Sequence, residues 1–172
     1  MSNTKTISFV GLLISMEIIF TRFLALQTPI IRIGFGFIPI AFSGIMFGPV
    51  IGGLTAAIAD ILGMLIFPKY PYFPGFTLSA FLTGAVYGLF LHKKKKPVTL
   101  SNIIKSVLLI TIFVDLGLTT LWVYMTTGKA AAALLIPRIS KSAIMLPIQI
   151  VSINVLWKYI GSHINKSDYV KE

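Results

Sequence analysis

The sequence predicts an all-α integral membrane protein, a single bundle of six transmembrane helices over residues 1–172 with both termini cytoplasmic. Three observations predict it. Apolar side chains make up 56% of the 172 residues and mean hydropathy is +0.90, which excludes an ordinary soluble domain. These side chains fall into runs close to the roughly 20 residues that one helix needs to cross a bilayer. The stretch Arg32 to Pro68, RIGFGFIPIAFSGIMFGPVIGGLTAAIADILGMLIFP, is too long for one soluble core element and reads as two spans folded back on each other.

Taken in order, there are six apolar segments. The first, Ile7 to Leu26, is interrupted by Glu17 and closed by Arg22 and Pro29. Only Lys5 precedes it among the cations and no small-x-small cleavage site follows, so a spanning helix is expected and not a cleaved leader. It carries Gly11 and Ser15, a small-xxx-small pair that in isolation is the ordinary mark of packing within a bundle. The second segment, Phe37 to Phe47, is short. It ends at Gly48-Pro49, where glycine tolerates a fold-back and proline suits the first turn of the next helix. The third, Pro49 to Phe67, is dense in small residues (Gly52, Gly53, Ala56, Ala57, Ala59, Gly63) that let backbones approach closely.

The link PKYPYFPG, Pro68 to Gly75, cannot be a helix interior. Beyond it the fourth segment, Phe76 to Leu91, stops at His92 and the run Lys93 to Lys96. The fifth covers Ile103 to Met125. TTGKAAAALLIPRISK, Thr126 to Lys141, reads as an irregular link, and the sixth segment is placed at Ile139 to Ile160, with Arg138 behind Pro137 at its start.

A net charge of +10 raises the question of nucleic acid, but the cations are distributed as membrane topology requires. With both termini on one side, Lys5, Lys93 to Lys96, Lys105, Lys158, Lys166 and Lys171 share it, nine of the 15 basic residues; that side is cytoplasmic by the positive-inside tendency. The other six, Arg22, Arg32, Lys69, Lys129, Arg138 and Lys141, fall near the opposite face. Snorkelling to headgroups accounts for one or two of them. An anionic ligand arriving from outside explains the six better.

Aromatic residues gather at the same face: Tyr70, Tyr72, Phe73 and Phe76 around the third link, Phe35 and Phe37 at the first, Trp122 and Tyr124 closing the fifth segment. Beside cations they suit a ligand that is flat at one end and acidic at the other. Three carboxylates lie within spans, where each needs a partner or a polar cavity. Asp115, about two turns from Trp122, is a candidate floor that could accept paired N–H bonds from a heterocycle. Asp60 suits a cation as well as a ligand, and Glu17 is expected to pair across helices. The expected ligand contacts are Arg22, Arg32, Asp60, Tyr70, Phe73, Phe76, Asp115, Trp122, Lys129, Arg138 and Lys141, with Arg32, Arg138 and Lys141 on the acidic end.

Some chemistry is excluded. There is no cysteine, so thiolate chemistry and disulfides are absent. Gly128-Lys129 lacks the first glycine and the Ser/Thr of a phosphate loop, and no metal cluster or nucleophile–base pair can be assembled. Neither an enzyme nor a metal or organic cofactor is expected, and ATP would act only through a partner protein.

With these features the chain resembles the substrate-binding S components of energy-coupling factor (ECF) vitamin transporters. The block Arg32 to Pro68 followed by YFPGFTLSAFLTGAVYG, Tyr72 to Gly88, is similar to the folate-specific members. The resemblance implies a prokaryotic plasma-membrane protein that binds its vitamin from outside, then joins a membrane coupling subunit and two ATPase subunits. It also implies that the first-helix small pair, commonly two alanines and here Gly11 and Ser15, contacts the coupling subunit. Folate agrees with the independent reading, having a flat pterin and a dianionic glutamate tail. Thiamine is cationic, riboflavin neutral, and biotin lacks an aromatic plane. The alternative is a stand-alone carrier for an aromatic anion, coupled to protons through Glu17, Asp60 or Asp115.

Overall fold

The computed structural model describes residues 3–27, 32–68, 72–92, 98–128 and 131–168; the lysine run 93–96 lies outside them. The described chain is helical apart from one short pairing. Helix α1 (Asn3–Arg22) leads to strands β1 (Leu26–Gln27) and β2 (Arg32–Ile33), which pair antiparallel. Then come α2 (Phe37–Phe47), α3 (Pro49–Ile66), α4 (Pro74–Leu91) and α5 (Leu100–Leu109). A π-helical segment (Ile110–Leu118) joins α5 to α6 (Thr119–Thr127), and α7 (Ala131–Asp168) closes the chain. Among the described residues five stretches are long and apolar enough to cross a bilayer: Thr4–Arg22, Pro49–Ile66, Pro74–Leu91, Leu100–Thr127 and Leu135–Tyr159. Helix α2 is apolar but has only 11 residues, about 16 Å of helix, shorter than an ordinary span.

The fold-back between α2 and α3 follows from its two residues. Gly48 has φ 88°, a conformation that a side chain disfavours, and Pro49 opens α3. The last carbonyls of α2 are satisfied locally: Gly48 N–H donates to Gly44 O at 2.9 Å, and His92 Nδ1 lies 3.3 Å from Ile45 O. Where α2, α3 and α4 cross, glycine lets the backbones touch. A Cβ on Gly52 would sit 2.9 Å from both Gly44 Cα and Gly84 O, and one on Gly44 would sit 2.7 Å from Gly88 N. Ser43 and Thr55 hydroxyls, 2.8 Å apart and buried, pin α2 to α3 at the same level. Side chains turned away from this crossing are apolar and exposed, among them Leu65, Ile7 and Phe113, as expected of a lipid-facing surface.

Gly11 is the opposite case: a Cβ there meets nothing within 4 Å. Ser15 is also exposed, with its hydroxyl bonded back to Gly11 O at 3.0 Å. Packing within this bundle therefore does not explain the pair. Gly52→Leu is expected to lose the folded, monodisperse protein or to cost roughly 1–3 kcal/mol of overpacking, read as a lower thermal midpoint. Gly11→Leu should leave the midpoint unchanged; an equal drop for both variants would contradict the packing described.

Two expectations need correction. The last helix does not begin at Ile139. It runs unbroken from Ala131 through Pro137 and Pro147, so Arg138 and Lys141 lie two to three turns inside it. Proline removes one backbone bond and crowds the preceding turn, yet spanning helices tolerate it where neighbouring groups satisfy the freed carbonyl. The fifth span is also not a uniform α-helix, since its middle third is π-helical.

Candidate ligand-binding site

A cavity of about 580 Å³ opens among the helices. That is within the range of small-molecule sites. Its walls come from the end of α1, the start of α2, the end of α3, and long faces of α4, the fifth span and α7. On α7 the lining residues are Arg138, Lys141, Ser142, Met145 and Gln149, and on α4 they are Phe76, Ser79, Ala80, Thr83 and Tyr87. Both sets follow the three-and-four spacing of one α-helical face. The fifth span differs. Ile110, Val114, Asp115 and Thr119 all line the cavity, although nine residues at about 100° each would put Thr119 half a turn from Ile110 in an α-helix. The wider π turn keeps them on one side.

That turn is held from α7. Arg138 Nη1–H donates to Asp115 O at 3.0 Å and to Thr120 Oγ1 at 3.2 Å, while the Thr120 hydroxyl reaches the same carbonyl at 3.3 Å. Arg138 is 8% exposed, so a snorkelling role is excluded for it. Lys141 Nζ meets Asp115 Oδ2 at 3.3 Å, the Asp115 carboxylate having been expected to take a ligand's amino edge. By count the cavity is balanced, since Arg22, Arg138 and Lys141 face Glu17, Asp60 and Asp115. By position it is not. Two cations stand around Asp115 alone, leaving a local excess of positive charge on α7.

The other charges are engaged with helix ends and side chains. Arg22 is buried against Gly63, where a Cβ would lie 2.9 Å from its Nε, and its Nη1 makes a long 3.5 Å contact with Phe67 O at the end of α3. Glu17 lies beside Gly36 at the start of α2. A cation at a helix C-terminus and an anion at an N-terminus each complement the macrodipole. Asp60 Oδ2 accepts from the Thr77 hydroxyl at 2.8 Å, and Thr77 is 3.1 Å from the Tyr72 hydroxyl, which ties the third link to α3 and α4.

The aromatic wall is narrower than the sequence suggested. Phe73 and Phe76 line the cavity with ring centroids 6.0 Å apart, joined by Phe37 and Tyr72. Trp122 stands one layer back, its Nε1–H donating to Ser79 Oγ at 3.1 Å and its ring 5.6 Å from Phe73. Tyr124 is exposed on the far side of α6. Tyr70 and Lys129 lie outside the described residues, as does the side chain of Arg32.

Charge and aromaticity did not point to Thr83, Tyr87, Ser142 and Gln149, which the cavity also presents. Tyr87 Oη, Ser142 Oγ and Gln149 Oε1 are buried and have no hydrogen-bond partner among the described residues. A legible signal existed for one of them: Gln149 is a polar residue in the middle of an apolar run.

Known proteins share this architecture. Residues 1–164 match the family described as ECF-type riboflavin transporter, S component. The folate transporter FolT of Clostridium novyi (strain NT) is 48% identical over 93% of this chain and 92% of its own. FolT of Leuconostoc mesenteroides subsp. mesenteroides is 29% identical over 95% and 91%. A crystal structure of FolT bound with folic acid superposes with a TM-score of 0.85 at 43% identity, covering 90% of this chain and 93% of that one. The S component of another bacterial ECF transporter shares the fold, with a TM-score of 0.67 at 18% identity over 99% and 100% of the two chains. The helices, the cavity they enclose and a family match over nearly the whole sequence lead to one assignment: the chain belongs to the S components of ECF-type transporters.

Proposed function

We propose that this chain is the folate-binding subunit of an ECF transporter in a prokaryotic plasma membrane. It forms one six-helix transmembrane domain with cytoplasmic termini, α2 being the short member. Folate is its transported ligand, and a separate coupling subunit with two ATPase subunits supplies the work. The observation that carries the ligand is the paired Arg138 and Lys141 on the cavity face of α7, opposite an aromatic wall. Together these fit an acid attached to a flat ring, and a 48% identical relative bears the name folate transporter. Exposed Gly11 and Ser15 support a contact surface for the coupling subunit. Such dependence on partners sets this reading apart from a stand-alone proton-coupled carrier.

Riboflavin is the competing ligand, because the matched family is described for it. It is neutral and offers no counter-charge to the two cations around Asp115. Calorimetry on the purified chain with folate, riboflavin, thiamine and biotin decides between them. Folate is expected to bind most tightly by at least tenfold, with no ATP hydrolysis by the chain alone. Tighter binding of any of the other three vitamins would overturn the ligand.

A further inference from the structure

We infer that Thr120, which does not itself line the cavity, is a positioning residue for ligand binding. With Arg138 it takes over a backbone carbonyl that the π segment leaves behind, and so holds the fifth span in the register that builds the cavity wall. This rests on the folate reading for the identity of the ligand.

The hold follows from the backbone hydrogen bonds. In an α-helix the Thr119 N–H would donate to Asp115 O, four residues back. Here it donates to Val114 O, five back, and α6 resumes from Thr119. Asp115 O thereby loses its helical donor, and a carbonyl without a donor is costly within a bilayer. Side chains supply the replacement. Arg138 Nη1 has two hydrogens, one directed to Asp115 O at 3.0 Å and the other to Thr120 Oγ1 at 3.2 Å. The Thr120 hydroxyl passes its own hydrogen to Asp115 O at 3.3 Å. Both side chains are buried. The hydroxyl therefore serves the carbonyl directly and also fixes the direction of the guanidinium.

The register matters because Ile110, Val114, Asp115, Thr119 and Val123 all line the cavity. If the Thr119 N–H moved from Val114 O to Asp115 O, the π turn would tighten toward α. Thr119 and Val123 would then swing out of phase with Ile110 and Val114. The two registers compete for one carbonyl and exclude each other. Only the π register presents this wall, so ligand binding and that register favour each other by linkage. A substitution that lowers the share of chains in the π register weakens the apparent affinity by the same factor. Thr120 acts in this way through the backbone, since it is not among the cavity's lining residues.

The test is Thr120→Val, which removes the hydroxyl and keeps the shape, read by amide hydrogen exchange and by folate calorimetry on the purified chain in detergent. Exchange should quicken over Val114 to Val123 and not in α3 or α4, and folate should bind about fivefold more weakly. Saturating folate should restore the protection. Thr120→Ser keeps the hydroxyl and should return both readouts close to the wild type. Thr55→Val is the control for an ordinary buried hydroxyl: it breaks the contact with Ser43 and should lower the thermal midpoint without altering exchange in the fifth span. Thr120→Ala gives the same comparison should Thr120→Val not fold. Unchanged exchange or affinity in Thr120→Val, a loss that Thr120→Ser does not repair, or quickened exchange spread evenly over all the spans overturns the inference and leaves the folate reading in place. A wild type that binds no folate overturns the folate reading, and exchange in Thr120→Val then still decides whether Thr120 holds the register.

Discussion

Replacing Gly11 by tryptophan is expected to abolish folate uptake by cells while leaving folate binding by the isolated chain unchanged. Gly11 and Ser15 share an exposed face of α1, and at Gly11 a Cβ meets nothing in the bundle. Nothing among the described residues requires a small residue there. A partner helix does, because van der Waals contact between backbones drives association where lipid gives no hydrophobic advantage. An indole at Gly11 or Ser15 would hold that helix several ångströms away. The measurement is paired: uptake and co-purification of ATPase subunits on one side, calorimetry on the other. Loss of binding with complex assembly intact would reverse the assignment and return the pair to the interior.

The second large effect is expected at Lys141. On the folate reading, Lys141→Met removes one charged hydrogen bond to the ligand's carboxylate, about 1.5–3 kcal/mol, or roughly tenfold to a hundredfold in affinity. It also leaves the Asp115 carboxylate without its 3.3 Å partner in a cavity that must admit an anion, which pushes the loss toward the upper value. Lys141→Met with Asp115→Asn should therefore recover part of it. Pteroate, which lacks the glutamate, should lose little from either change. If it loses as much as folate, Lys141 supports the wall and does not read the tail. Arg138→Ala is a less specific probe, since its guanidinium also holds the Asp115 carbonyl.

Much of this fold is legible because glycine and proline mark its corners. Phe37–Phe47 and the fold-back at Gly48-Pro49 follow from residue type alone, and α4 begins at Pro74, two residues ahead of the Phe76 expected from hydropathy. The same reasoning failed at Pro137. Proline favours a first turn and so points to a helix start behind it, although Ala131 to Ile136 is a run that propagates helix well. The π segment has no signature in hydrophobic spacing; it depends on Arg138, 23 residues away, reaching the Asp115 carbonyl. For the site, charge and aromaticity identified Arg138, Lys141, Asp115, Phe73 and Phe76 as residues of one face, and all five line the cavity. Trp122 lies one layer behind the wall that the sequence points to, because sequence gives depth along a helix better than direction around it. Neutral Tyr87 and Gln149 are hard to single out from sequence, since an isolated hydroxyl or amide in an apolar run is weak as a signal.

The π segment sets a phase. Thr119 to Thr127 leaves it at an angle fixed by the nine residues before, so which of its side chains face inward is decided upstream. Deleting a single residue from Ile110 to Leu118 would leave the span long enough for the bilayer and nearly as apolar. With the backbone path kept, every later residue would move up one position, carrying Val123 and Thr126 off the cavity wall and putting the exposed Tyr124 in Val123's place. The chain is thus sensitive to the reading frame of one helix in a way that no substitution there would reveal.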